Sequence, residues 1–253
     1  DRARECPGDE GGPQESVIVR PAGDDIQLIT QPDHAHLARR VMEHCVPLAT
    51  RLRLDSILHA IAEHDNGWAE EDAAPRVNTT TGRVFDFISA PPEVRQAVWP
   101  RGVARLAHDP WAAALVAQHA ITVYDRFQSE SEWSPFFHDM EAARDELLRA
   151  IGVSLEDLLS DYVFVRLADL ISLTFCVGWT DQQRFGEWVV QRFDARIVVT
   201  PDAFGGADIP IEIGARVIRD ERYVSDLGLR RALSEARPTT LRGMVTGRSA
   251  RPL

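Results

Sequence analysis

Read from its amino end, the chain first alternates apolar and polar residues, then adopts a helical spacing, and near residue 195 returns to alternation. SVIVR (16–20) and DIQLIT (25–30) alternate or run apolar on either side of Ala22-Gly23-Asp24-Asp25, which predicts a β-hairpin. From about residue 33 the apolar positions recur at three and four. Leu37, Val41, Met42 and Cys45 share one face of a helix that Asp33 can cap. Ile57, Leu58 and Ile61 share a face of a second helix, with Asp55 as its cap and Gly67 placed to end it. Residues 66–90, NGWAEEDAAPRVNTTTGRVFDFISA, have no period and many turn formers. A long structureless loop inside a compact region is more often functional than accidental. Further helices are expected at 91–107, at 110–128 behind an Asp109 cap, at 131–151, at 154–176 and at 180–193. Ser154 and Asp157 come close to a capping box for the fourth of these, and Thr180 with Gln183 opens the fifth. Beyond Ala195, ARIVVT, IPIEIG and ARVIRD read as strands separated by Gly/Pro/Asp turns, followed by a last strand at 239–246.

The expected fold class is therefore α+β and mainly α. A helical bundle over about 33–193 carries a small antiparallel sheet, made of the N-terminal hairpin and the strands of 194–253. Residues 1–15, rich in Gly, Pro and acids, are expected to form a disordered tail, and 16–253 a single domain.

Composition then narrows the chemistry by exclusion. The formal net charge is −11, and all 28 basic residues are arginine, because the sequence contains no lysine. An acidic surface disfavours non-specific binding to nucleic acid or to an anionic membrane, which leaves a small-molecule substrate as the expected partner. The oligomeric state is not legible. The missing lysine excludes Schiff-base chemistry and a P-loop of the usual kind. Three scattered cysteines, Cys6, Cys45 and Cys176, argue against a disulfide framework or a cysteine zinc site. DRARECPGDEGGPQES lacks the apolar core of a signal peptide and no apolar run reaches membrane-spanning length, so the cytoplasm is the expected location.

Three His-Asp dipeptides occur: His64-Asp65, His108-Asp109 and His138-Asp139. The dipeptide alone therefore carries no information. Asp109 has a role as a helix cap, and His138-Asp139 lies at the polar start of a helix. His64-Asp65 differs, because it ends an apolar helix and is followed directly by the long loop. A neutral imidazole beside a carboxylate suits zinc, iron or manganese, but two ligands do not hold an ion. His34 at the start of the first helix and Asp169 inside YVFVRLADLISLTFC are the candidates to complete a set. A carboxylate in a buried helix is costly unless it is paired or bound to metal, and the alternatives for Asp169 are a salt bridge with an arginine such as Arg166 or exposure on a polar stripe. His119, amid AAALVAQHAI, is either a satisfied core histidine or part of the same site. His59 is some 140° round the helix from His64 and should not share it. His36 and His44 are expected in solvent.

Taken in order, His34, His64-Asp65 and Asp169 resemble the H…HD…D signature of the HD-domain superfamily, and HDNGW resembles its HD-x-G-x form. The likeness covers about residues 26–176. It implies an HD-like helical bundle whose ligands come from separate helices, and one or two divalent ions of iron, manganese or zinc. Through ITQPDH, AEHDNGW, the Phe-Asp-Phe of the loop and LADLISL, the chain also resembles a bacterial family described only as a domain of unknown function. Many HD-domain members carry a cation where this chain has Trp68. Here Arg76, Arg83 or Arg126 supplies it, or it is absent. Dinuclear members add two further histidines. This chain offers His119 for one and Asp86 in place of the other.

Three functions follow as expectations. The first is a metal-dependent hydrolase, on superfamily precedent a phosphohydrolase. The second is a diiron oxygenase acting on a small organic molecule, with His119 and Asp86 serving a second iron. The third is a non-enzymatic binding scaffold. His119 is expected either as a second-metal ligand or as a catalytic base. Trp68 and the 66–90 loop are expected to line the mouth of the pocket and bind substrate.

Overall fold

A computed structural model describes residues 17–249, so the tail expected at 1–15 lies outside the described residues. The N-terminal hairpin forms as strands β1 (Ile18–Ala22) and β2 (Asp25–Ile29), with Gly23 at φ +71° in the turn. Helix α1 (Gln31–Met42) starts two residues before the expected Asp33 cap. Thr30 caps it instead and accepts from the Asp33 amide at 3.2 Å. Helix α2 (Leu54–Glu63) begins without a side-chain cap, so Asp55 lies inside the first turn rather than ahead of it. Next come α3 (Ala69–Ala73), α4 (Pro92–Arg105), α5 (Pro110–Val123), α6 (Ser134–Ile151) and α7 (Leu155–Val177). Asp109 caps α5 through the Ala112 amide, and Ser154 with Asp157 forms a full capping box on α7, as their spacing predicts.

The second half departs from expectation. Residues 180–193 form no helix; they make β3 (Gln183–Phe185) and β4 (Trp188–Phe193), joined by a turn with Gly186 at φ +56°. Trp188 and Val190 are buried at alternate positions, which is a strand period rather than a helical one. Strand β5 (Arg196–Thr200) follows, and then β6 (Asp208–Arg219) runs unbroken for twelve residues where two strands were expected. Helix α8 (Asp226–Ser234), which the pattern did not reveal, precedes β7 (Arg237–Gly247).

These strands form one seven-stranded sheet in the order β1-β2-β6-β7-β5-β4-β3. The β5–β7 pairing is parallel and the others antiparallel, and the sheet curls into a half-barrel. A helical bundle with a small antiparallel sheet is thus the wrong description. The sheet is large and mixed because the stretch read as a fifth helix supplies two of its strands, and because β7 pairs with β5 as well as β6. Strand β6 shows how both faces are used. Ile209, Ile211, Ile213 and Ala215 face the main core, whereas Ile218 faces a second cluster with Tyr223 and Leu229.

Helix α7 is the axis of the structure. It lies against β1, β3, β4 and β5 on one side and against α1, α2 and α5 on the other. A helix so enclosed is apolar nearly all round, and the polar residues it does carry inside stand out. Asp161, Asp169, Ser172 and Thr174 are all buried. No helix among the described residues is long and apolar enough to cross a membrane.

Candidate metal centre

Helix α2 stops at Glu63, and the chain turns through Asn66–Trp68 into α3. This turn is pressed onto α4. A Cβ on Gly67 would lie 2.0 Å from the Val98 carbonyl oxygen, and one on Gly102 would lie 2.8 Å from Asn66 Oδ1. Gly67 is therefore required for close approach, not as the helix stop its position suggested. Arg101 donates to the Gly67 carbonyl from Nε at 3.0 Å and from Nη2 at 2.6 Å, and Arg105 donates to that of Asn66. Helix α4 thereby holds in place the segment that directly follows His64 and Asp65. Because α1, α2 and α7 pack against one another, the first turn of α1 and the middle of α7 reach the same point.

One ligand atom each from His34, His64, Asp65 and Asp169 lies within 4.8 Å of all the others, and all four residues are buried. His34 Nε2 is 2.6 Å from Asp65 Oδ2. His64 Nε2 is 3.5 Å from Asp65 Oδ2 and 3.5 Å from Asp169 Oδ1, and has no hydrogen bond. The opposite ring nitrogens are held by partners of their own. His64 Nδ1 is 2.8 Å from the Ile61 carbonyl, which can only accept, so Nδ1 carries the hydrogen. His34 Nδ1 is 3.0 Å from Ser172 Oγ, whose own hydrogen points to the carbonyl oxygens of Ala168 and Asp169 at 3.1 Å. The serine oxygen accepts, and His34 Nδ1 donates. Each Nε2 thus faces buried carboxylate oxygens, close contacts that are favourable with a proton or a metal ion between them. Two imidazole nitrogens oriented by outer hydrogen bonds, with two carboxylates, are a donor set that fits a divalent transition metal.

The electrostatics agree with that balance. Burial disfavours a cation on His64, but the Asp65 and Asp169 carboxylates outweigh it and lift the imidazole to about 9. Burial also works against the charge on Asp65 and Asp169. His64 and His34 nevertheless hold Asp65 below the usual carboxylate range, and His64 and Arg166 hold Asp169 well below it. Arg166 donates to Asp169 Oδ2, so the salt bridge considered as an alternative to the metal role is present alongside it. His119 differs. Burial pushes its imidazole down to about 3 and Asp169 only partly offsets this, so the ring is neutral. Its Nε2 is 3.7 Å from Asp169 Oδ2, and its Nδ1 is 3.1 Å from the Tyr162 hydroxyl.

A cavity of about 190 Å³ opens onto Asp65, His119 and Asp169. Trp68, Phe87, Trp99, Tyr124 and Trp179 contribute aromatic walls, and Arg95, Arg126 and Arg166 also line it. Trp68 takes the lining place expected of it, although it is 2% exposed and equally a core residue. Of the expected loop, only Trp68, Phe87 and Ile88 line the cavity. The rest is not structureless: it holds α3 and a β-bridge between Val77 and Val84.

Asp86 does not join the site. Its Oδ1 accepts from the Ser89 amide at 2.6 Å and it lines a different hollow, because a turn at Asp86–Ser89 consumes its carboxylate locally. Of the three arginines expected to supply a cation, Arg126 reaches the cavity. Arg83 instead pairs with Asp220, and Arg76 lies 4.0 Å from Asp226. His36, His44, His108 and His138 are exposed. Sequence reasoning missed Ser172, Tyr162, Gln31 and Arg95. Ser172 and Tyr162 lie three and seven residues from Asp169 on α7, and Gln31 lies three from His34 on α1, spacings that share a helix face with a candidate ligand. Arg95 had no such signal.

No curated protein and no solved structure matches the chain. One family model does match, over residues 17–220, and the chain belongs to the family it describes, "Protein of unknown function (DUF3891)".

Proposed function

We propose that this protein is a metal-dependent hydrolase acting on a small molecule, with one divalent ion held by His34, His64, Asp65 and Asp169. The observation that carries the reading is the pair of Nε2 atoms directed at two buried carboxylates. The H…HD…D order of these residues, which resembles the HD-domain signature, supports it independently. Iron, manganese and zinc all suit the donor set. A bound ion would lower the pKa of a coordinated water toward about 7 and make it a nucleophile at neutral pH. The residues do the remaining work. Ser172 and the Ile61 carbonyl hold the imidazoles in the tautomer that leaves Nε2 bare. Arg166 holds the Asp169 carboxylate. His119, neutral and facing the cavity, is placed to accept a proton from water or substrate through Nε2, while the Tyr162 hydroxyl orients the ring through Nδ1.

The oxygenase reading needs a second iron. With Asp86 elsewhere, the second ion would have His119 and shared carboxylate oxygens only, which favours the mononuclear site. Elemental analysis of protein purified without added metal tests this directly. About one zinc, manganese or iron per chain is expected, falling to none in His64→Ala and unchanged in His119→Ala. Two irons per chain, with half lost in His119→Ala, would replace the hydrolase by the oxygenase. No metal in the wild-type protein would leave only a binding scaffold.

A further inference from the structure

The same cavity carries charge that the metal-binding residues do not use. Arg95 and Arg126 both line it, and the guanidinium carbons lie 5.1 Å and 4.7 Å from the centroid of one ring, Phe127. Among the described residues neither takes part in an ion pair, in a chain whose net charge is −11. Arg95 packs against Tyr124 and Trp133 as well, and its Nε is buried with no acceptor. A buried N–H of an arginine without a partner is unfavourable, and two like charges beside one ring repel. Arg166, by contrast, is committed to Asp169. Gln31, 1% exposed, also lines the cavity, and among the described residues its amide oxygen has no partner.

We infer that the cavity binds a small carboxylate with a flat apolar body, its carboxylate held by Arg95 and Arg126 and its ring between the aromatic walls. This extends the reading of the site above to its substrate. A guanidinium fork matches a planar carboxylate through two parallel hydrogen bonds. Trp99, Tyr124 and Trp179 supply faces for a flat body. Size narrows the class: about 190 Å³ is room for about six waters by liquid volume and lies below the roughly 300 Å³ at which drug-sized ligands begin. The ligand's body would lie toward Asp169 and His119, where the proposed chemistry takes place.

Trp68, Trp99 and Trp179 line the cavity, so tryptophan fluorescence reports occupancy. The full chain, as purified, is titrated with benzoate, with benzyl alcohol as a neutral analogue and with inorganic phosphate. Benzoate should bind saturably and the other two at least tenfold more weakly. Arg95→Gln and Arg126→Gln should each weaken benzoate at least tenfold without changing metal content, and Arg83→Gln, remote from the cavity, should not. Arg126 is exposed, so its variant stays informative if loss of Arg95 disturbs the ring cluster. Equal binding of benzyl alcohol, tighter binding of phosphate, or wild-type affinity in Arg126→Gln would overturn the inference. None of these outcomes depends on the wild-type metal count, which tests the hydrolase reading separately.

Discussion

Two His-Asp dipeptides in this chain both lie at helix α2 and do different things. His64-Asp65 ends α2; His108-Asp109 precedes α5. Each aspartate meets a second histidine, since His34 Nε2 lies 2.6 Å from Asp65 and His59 Nδ1 lies 2.8 Å from Asp109. The His59 and His108 rings even approach to 5.4 Å, close to the 4.9 Å between His34 and His64. Three differences separate them. The Asp109 carboxylate already accepts from the Ala112 amide as a helix cap, whereas Asp65 has no backbone donor among the described residues. The His59 and Asp109 side chains are 29% and 19% exposed, so water screens them, whereas those of His34 and Asp65 are 0% and 9% exposed. Only the first pair has a second buried carboxylate, Asp169, across from it. A dipeptide becomes a candidate metal site when burial removes the water and the fold supplies further donor groups.

Breaking each pair should separate them most widely. Asp65→Ala leaves two buried histidines without their counter-charge, and should cost about 3–5 kcal/mol and abolish metal binding. Urea unfolding and elemental analysis measure both; a loss under about 1 kcal/mol with metal retained would mean that Asp65 is not a ligand.

The proton on His64 gives the next largest effect. Its imidazole is raised to about 9, so in the metal-free protein its contribution to stability is complete below about pH 6.5 and is lost as pH rises through about 9. His119, pushed down to about 3, acts in the opposite sense, because its contribution falls away as pH drops below about 6.5. A metal needs His64 Nε2 bare, so apparent affinity should rise on the order of tenfold per pH unit between about 6.5 and 9. Competition with a chelator across that range measures it. A flat profile would place the metal away from His64.

Ser172→Ala removes the group that fixes the His34 tautomer and should weaken metal binding roughly 10–100-fold, with the fold intact. The same competition assay reads it, and unchanged affinity would assign Ser172 to packing alone. The smallest effect belongs to the second dipeptide. Asp109→Ala should cost about 1 kcal/mol, as loss of a helix cap does, and leave metal content untouched. Metal loss in that variant would undo the contrast between the two pairs.

Much of this was legible before any coordinates. The order and spacing of His34, His64-Asp65 and Asp169 picked the four residues from eight histidines and many acids, because an unpaired carboxylate in YVFVRLADLISLTFC and a histidine at an apolar helix end are both expensive in a core. Helices α1, α2 and α4 to α7 were readable from period and caps, since those signals are local. Residues 180–193 were misread because Thr180 and Gln183 imitate a helix start, while the turn at Gly186 and the pairing of β4 with β5 decide the matter from outside the segment. Asp86 was misassigned because sequence distance from Asp65 says nothing of a turn that consumes its carboxylate.

By itself, then, the sequence determined which residues could not be left unpaired, through their burial in apolar periods, and which ends of helices they occupied. Only the tertiary structure decided which of them meet, because that depends on how α1, α2 and α7 cross and on how closely Gly67 and Gly102 let α4 press the turn after Asp65. It alone made Ser172 an acceptor for His34, and it alone gathered Arg95 and Arg126 around one ring. The large mixed sheet belongs to the same class. A strand's period can be read along the chain, but its partner is chosen by hydrogen bonds and packing between segments far apart in sequence, and those leave no local trace.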